Sequence, residues 1–146
     1  MSPVLIFDLD GTLVDTAPDL LDALNAILES EGRPAVGHAE LRHLVGHGAR
    51  AMLDEAFKMT GGAADPTRLP GLIDDYIAHY AAHVAVSSRP FPGVEATLSR
   101  LADEGAKLGV LTNKPQVLTD LAAFRDHCEV LGANLRQARC VLDPER

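Results

Sequence analysis

The sequence has few cysteines and no long hydrophobic run, and each absence excludes a class of protein. Its two cysteines, Cys128 and Cys140, lack the spacing of a disulfide framework or a zinc site, which favours a reducing, cytoplasmic compartment. No apolar run reaches ~18 residues, so we expect no membrane span. The amino terminus also lacks the basic and apolar regions of a signal peptide.

Basic residues are sparse as well. Lys and Arg number 13 against 21 Asp and Glu, which gives a formal net charge of −8. The basic residues are scattered, so we expect neither a nucleic-acid partner nor binding to a membrane surface. The 146 residues are 47% hydrophobic, which is enough for one sizeable core and a small second lobe. An acidic protein of this kind that binds an anion needs a cation at the site.

The most informative stretch lies near the amino terminus and reads V-L-I-F-D-L-D-G-T-L-V-D-T, from Val4 to Thr16. The apolar run at residues 4–7 is typical of a parallel strand covered on both faces. Asp8 and Asp10 follow it, and a spacing of two places both carboxylates on one face of the chain. Ligands of open α/β sheets bind beyond the carboxyl ends of the strands. The stretch therefore predicts a ligand site.

The next segment, residues 17–86, shows only helical periodicity. This predicts a helical cap inserted after the first strand. Thr16 stands where a helix N-cap is expected, and Asp19 fits an acidic variant of the capping box. Residues 1–16 and 87–146 are then expected to form an α/β core with a Rossmann-like parallel sheet.

A second apolar strand, Leu108–Leu111, ends in Thr112, Asn113 and Lys114 before Pro115 opens a helix. Because the carboxyl ends of parallel strands share one edge of a sheet, we expect these polar residues to lie near Asp8. Two alternatives stay open here. Thr112 has the position of an ordinary N-cap, and Lys114 has that of a solvated residue at a helix start.

Three motifs together resemble the haloacid dehalogenase-like hydrolases: D-L-D-G-T at residues 8–12, F-P-G-V at 91–94 and L-T-N-K-P at 111–115. The similarity runs from about residue 4 to residue 120. Within that superfamily the chain is most similar to the phosphoglycolate phosphatases. The narrower similarity depends on T-N-K-P, on the helical insertion and on G-H-G-A-R at residues 46–50, which resembles the family's substrate loop in the cap.

The resemblance implies roles for the polar residues at the two strand ends. Asp8 would be the nucleophile that forms an aspartyl-phosphate, and Asp10 would protonate the leaving oxygen and then activate water. Mg²⁺ would be bound by the Asp8 side chain and the Asp10 backbone carbonyl. Thr112 would bond a phosphoryl oxygen, helped by the backbone N–H of Asn113.

The resemblance also points to substrate contacts from cationic residues. Arg50 and His47 are candidates to contact the far end of the substrate, and Lys114 is a candidate to approach its phosphate. For each the sequence leaves a plainer alternative open, since loop histidines, first-turn arginines and lysines at helix starts are commonly solvated.

The chain departs from the family pattern after the second strand. A later lysine and a G-D-x-x-x-D motif are expected in the family, and neither follows Lys114. Only two strands are clear, with residues 140–142 as a third candidate, so the predicted sheet is incomplete. We hypothesise that residues 121–146 are a non-native tail. An incomplete sheet would also leave a free edge, which predicts self-association.

The sequence thus predicts a Mg²⁺-dependent phosphatase for a small phosphorylated metabolite such as 2-phosphoglycolate. Two alternatives stay open. Within enzymes, a sugar-phosphate phosphatase or a phosphoglucomutase-like enzyme uses the same motifs. From a different class, a truncated, non-catalytic remnant or a phosphate- and metal-binding module would retain the carboxylates without turnover.

Overall fold

The structure is a computed structural model that describes residues 2–112, 114 and 118. Within these residues, strands near both ends of an α/β chain flank a run of helices. In order they are β1 (Val4–Phe7), β2 (Val14–Asp15), α1 (Ala17–Ser30), α2 (His38–Leu41), a 3₁₀ turn (Arg42–Leu44), α3 (Ala49–Gly61), α4 (Leu69–Ala82), β3 (Arg89–Pro90), α5 (Val94–Asp103) and β4 (Lys107–Val110). The predicted strand at residues 140–142, the tail and both cysteines lie outside the described residues.

Strands β1 and β4 form a parallel pair. Val4 is opposite Lys107 and Phe7 is opposite Val110, and the Leu111 N–H donates to the Phe7 carbonyl at 2.9 Å. The carboxyl ends of both strands therefore lie side by side, and the residues that follow them are neighbours. The predicted fold class, α/β with a parallel sheet, is confirmed.

The prediction that β1 is covered on both faces is wrong for the described part of the chain. Val4 and Ile6 are 65% and 64% exposed, whereas Leu5 and Phe7 are partly buried against the core. An apolar strand sequence identifies a strand but does not specify how many layers pack on it. Self-association through the sheet edge stays a prediction.

Helices α1, α3 and α4 pack on one another. Leu24 and Leu28 of α1 and Leu53 and Phe57 of α3 are fully or almost fully buried. Their spacing of four places each pair on one face of its helix. The helices fall within the segment predicted as the cap, and its separation as a domain stays a prediction. No helix between residues 2 and 112 is both long and apolar enough to cross a membrane.

The two chain segments that enter and leave the helices pair with each other. In β2 and β3, Val14 is opposite Pro90 and Asp15 is opposite Arg89 in an antiparallel pair. The Phe91 N–H also donates to the Leu13 carbonyl at 3.1 Å. Each strand has only two residues, which is too short for periodicity to reveal. The pairing brings both ends of the helical segment together beside the sheet.

Asp19 reinforces this junction, and the predicted capping box is wrong. Its carboxylate accepts hydrogen bonds from the Ser87 N–H at 2.7 Å, the Ser88 N–H at 3.0 Å and the Ser88 hydroxyl at 2.5 Å. The Thr16 hydroxyl makes no cap bond to the helix and is buried with no partner among the described residues. Asp19 is only 4% exposed, and a buried carboxylate needs hydrogen-bond donors. The three donors of Ser87 and Ser88 satisfy it better than the single bond of a capping box.

We expect Asp19→Asn to lower the free energy of unfolding by about 1–3 kcal/mol, because an amide nitrogen replaces one acceptor oxygen against buried donors. Urea unfolding measures this effect. The matched control is Asp22→Asn, which changes an exposed carboxylate on the same helix and should stay within about 0.5 kcal/mol of the parent. Equal losses in the two variants would show that the Asp19 bonds do not secure the junction.

Candidate functional site

The two carboxylates at the end of β1 lie in different environments. Asp8 is exposed, and its Oδ1 accepts the Leu9 N–H at 2.7 Å. Asp10 is buried. Gly11 then turns the chain with a φ of +75°, a conformation that favours glycine, and its N–H donates to the Val14 carbonyl at 2.9 Å. Because of this turn, Asp10 stays at the edge of the sheet and the chain after it continues toward the helical segment.

A loop of the helical segment approaches both acidic residues at Gly46. A Cβ atom built on Gly46 would lie 3.8 Å from Asp8 Oδ2 and 3.7 Å from the Asp10 backbone oxygen. Both oxygens therefore lie at contact distance from the position where a side chain of residue 46 would begin. Gly46 has a φ of +88°, which also favours glycine.

The Asp8 and Asp10 oxygens beside Gly46 suit a hard divalent cation. Mg²⁺ prefers oxygen ligands and usually keeps several waters, so one carboxylate and one carbonyl are a sufficient protein contribution when phosphate supplies the rest. No cluster of three or more His, Cys, Asp or Glu side chains suited to a metal is found in the described residues. Asp8 Oδ2 and the Asp10 carbonyl are the residues that fit Mg²⁺ here.

Lys114 lies inside the site, and the solvated alternative considered for it is wrong. Its Nζ is 3.0 Å from Asp10 Oδ1 and donates to the Tyr80 hydroxyl at 2.7 Å. The Lys114 and Asp10 side chains are only 2% and 8% exposed. The cause is the parallel pairing of β1 and β4, which sets the residues after β4 beside those after β1.

Sequence reasoning missed Tyr80, which lies in the segment that shows only helical periodicity, residues 17–86. The side chain is fully buried, and its hydroxyl accepts a hydrogen bond from Lys114. Burial, and secondarily the negative charge of Asp10, raise the pKa of the Tyr80 phenol well above its usual value. The phenol is therefore neutral at ordinary pH. The available signal was the hydroxyl itself, since buried tyrosine hydroxyls usually have a partner.

Thr112 is buried, and its Oγ1 accepts the Lys114 N–H at 3.1 Å. This bond spans two positions and closes a turn after β4, while the role of Thr112 as a helix N-cap stays a prediction. Contact of Thr112 with a phosphoryl oxygen stays a prediction. Asn113 lies outside the described residues.

The remaining two candidates stand apart from the carboxylates. The His47 and Arg50 side chains are exposed, and neither makes a hydrogen bond or ion pair with another side chain that the structure describes. The backbone of the loop comes close to Asp8 at Gly46. Their contact with a substrate stays a prediction.

Known proteins resemble this chain in sequence. The profile of the haloacid dehalogenase-like hydrolases matches residues 5–124. The chain is 46% identical to a phosphoglycolate phosphatase of Caulobacter vibrioides, over 92% of this chain and 59% of that protein. It is 43% identical to a phosphoglycolate phosphatase of Agrobacterium fabrum, over 81% of this chain and 51% of that protein. The chain thus spans little more than half the length of these curated relatives.

Solved structures of other proteins have a fold similar to that of this chain. A predicted phosphoglycolate phosphatase from Haemophilus somnus has a TM-score of 0.72 at 26% identity, covering 86% of this chain and 59% of that one. A predicted phosphatase from Clostridium acetobutylicum has a TM-score of 0.74 at 26% identity, covering 90% and 57%.

The family profile covers β1 with its two aspartates, the helices and β4 with Lys114. These are the elements from which the resemblance was predicted, and the prediction is confirmed. The chain belongs to the haloacid dehalogenase-like hydrolase family.

Proposed function

We propose that this chain carries the site of a Mg²⁺-dependent phosphatase that hydrolyses a small phosphomonoester such as 2-phosphoglycolate through an aspartyl-phosphate. The observation that carries the proposal is the pair of unequal carboxylates at one strand end. Asp8 is exposed, as a nucleophile must be, while Asp10 is buried and paired with Lys114. The curated relatives named phosphoglycolate phosphatase support the substrate class.

The reaction divides between the two carboxylates. In the first step an Asp8 oxygen forms a bond to phosphorus, the bond from phosphorus to the ester oxygen breaks, and Asp10 gives that oxygen its proton. In the second step Asp10 takes a proton from water, the water oxygen forms a bond to phosphorus, and the bond from phosphorus to the Asp8 oxygen breaks, which regenerates the Asp8 carboxylate and frees inorganic phosphate. Each step needs one group that bonds phosphorus and another that moves a proton.

The proposal includes a metal ion because the carboxylates of the site and the phosphate of the substrate are all negatively charged. After Asp10 has given up its proton, the site has two carboxylates, Asp8 and Asp10, and the Lys114 ammonium offsets one negative charge. An approaching phosphate would still be repelled. Asp8 Oδ2 and the Asp10 carbonyl, which lie beside Gly46, are the atoms that would hold Mg²⁺. When bound, the ion neutralises charge on the phosphoryl oxygens.

A second candidate is a phosphate- and metal-binding module without turnover. It is favoured by the small number of acidic ligands in the part of the chain that the structure describes and by the share of its relatives that the chain spans. Binding of Mg²⁺ and phosphate without hydrolysis would identify it.

A panel of phosphate esters separates phosphoglycolate from sugar phosphates. Cytoplasmic location stays a prediction from the sequence.

The match to the Caulobacter vibrioides protein covers 92% of the chain and so extends into residues 121–146. The statement that this tail is non-native stays a hypothesis. Sequencing the gene tests it, because a non-native tail requires an alternative reading frame downstream that encodes a lysine and G-D-x-x-x-D.

We expect Asp8→Asn to abolish Mg²⁺-dependent release of phosphate from 2-phosphoglycolate, with a loss of at least about 10³-fold, because an amide is a poor nucleophile. Phosphate release is followed in a coupled assay. Asp75→Asn, at an exposed position of α4, is the matched control and should leave the rate unchanged. Robust turnover by Asp8→Asn would refute the assignment of Asp8 as nucleophile.

We expect Gly46→Ala to weaken Mg²⁺ binding about tenfold, the scale seen when the surroundings of a metal site are disturbed. Its methyl group would lie 3.8 Å from Asp8 Oδ2 and 3.7 Å from the Asp10 carbonyl oxygen, which leaves less room beside these oxygens for an ion and its waters. Calorimetric titration with MgCl₂ and inorganic phosphate measures the affinity.

Gly48→Ala is the matched control for that experiment. Gly48 has the same φ of +88°, and nothing lies within 4 Å of its added Cβ, so backbone strain is similar without obstruction. Equal affinities in the two variants would place the metal elsewhere.

A further inference from the structure

We propose that Tyr80 is a positioning residue for the reaction. Its hydroxyl holds the Lys114 ammonium against Asp10, and the helical segment thereby fixes the orientation of the carboxylate that transfers the proton. This inference rests on the proposed function. Tyr80 does not touch the reacting atoms and acts through Lys114.

Tyr80 joins two parts of the chain at this point. It belongs to the last turns of α4. Lys114, which follows β4, lies thirty-four positions after Tyr80 in the sequence. Asp10, at the end of β1, is 104 positions from Lys114. Contacts so distant in sequence form only when the helices lie on the strand ends. The Lys114 ammonium is thus shared between the sheet and the helical segment.

Lys114 contacts both the hydroxyl and the ring of Tyr80, and Tyr80→Phe removes only the contact with the hydroxyl. The ammonium lies 2.7 Å from the Tyr80 oxygen and 4.5 Å from the ring centroid. A hydrogen bond from a charged donor at that distance is strong, and Tyr80 and Lys114 are only 1% and 4% exposed. Water therefore has little access to replace the hydroxyl.

Loss of that hydroxyl has a defined consequence. A lysine side chain is long and flexible, so each hydrogen bond that its ammonium makes reduces the number of orientations open to it. The bond to Tyr80 restricts the ammonium in this way and with it the orientation of Asp10 Oδ1. Proton transfer depends on such orientation, while ground-state binding of the substrate depends on it less. Removing the hydroxyl should therefore lower kcat more than it changes KM.

The chain offers a matched control on the same helix. Tyr76 lies one turn before Tyr80 and is also buried. Its hydroxyl meets the Leu20 carbonyl at 3.5 Å and the Met52 sulfur at 3.6 Å, contacts at or beyond the limit of a good hydrogen bond. Tyr76→Phe removes the same atom as Tyr80→Phe without touching the Lys114 bonds.

The first test detects the Lys114 ammonium directly by ¹⁵N-detected NMR. The sequence has three lysines, and Lys58 and Lys107 are exposed, so a slowly exchanging ammonium signal should come from Lys114 and vanish in Lys114→Met. We expect Tyr80→Phe to speed its proton exchange about tenfold and Tyr76→Phe to leave it within about twofold. This readout does not require catalysis.

The second test measures kcat and KM for 2-phosphoglycolate in the same variants. We expect kcat of Tyr80→Phe to fall about tenfold with KM changed less than about threefold, and Tyr76→Phe to match the parent. An unchanged ammonium signal, or a faster exchange with unchanged kcat, would overturn the proposal. If the parent chain shows no turnover, the proposed function fails, and the ammonium signal alone then decides whether Tyr80 positions Lys114.

Discussion

The buried ion pair between Lys114 and Asp10 is the contact on which the arrangement of the site depends. It joins the carboxyl ends of β1 and β4 across 104 positions of sequence at 3.0 Å. Taking two charges out of water is costly, and the cost is offset only when geometry and further hydrogen bonds satisfy both groups. Tyr80 supplies one such bond to the ammonium. Removing either charged partner would take away the opposite charge that lies 3.0 Å from the other, which stays buried.

The helical segment reaches this pair because both of its ends are held at the sheet. The short antiparallel pair β2 and β3 brings the entering and leaving chain together. The three hydrogen bonds to Asp19 add a buried connection between α1 and the returning chain at Ser87 and Ser88. With its ends fixed, the segment can present Gly46 to the carboxylates and Tyr80 to Lys114. The junction and the site are therefore two parts of one arrangement.

The local features of this molecule were predictable from sequence, and most of the partners were not. The apolar run of β1, the position of Asp8 and Asp10 and the helical stripes follow from periodicity and from the motif. Periodicity tells which face of α4 is buried, so Tyr80 was grouped with the core residues, but it does not tell which atom meets its hydroxyl. Asp19 was assigned to its own helix because sequence reasoning favours near neighbours, whereas the structure pairs it with donors 68 and 69 positions away. The exposure of Val4 and Ile6 likewise depends on layers that a strand sequence does not encode.

A double-mutant cycle on Asp10→Asn and Lys114→Met, measured by urea unfolding of the parent, the two single variants and the double variant, tests this account most directly. The account predicts that each single substitution costs about 3 kcal/mol or more, because it removes the opposite charge from beside a buried charged group. It also predicts that the double variant loses much less than the sum, with a coupling of about 2 kcal/mol. Additive losses, with a coupling below about 0.5 kcal/mol, would contradict it and show that the pair does not hold the two strand ends together.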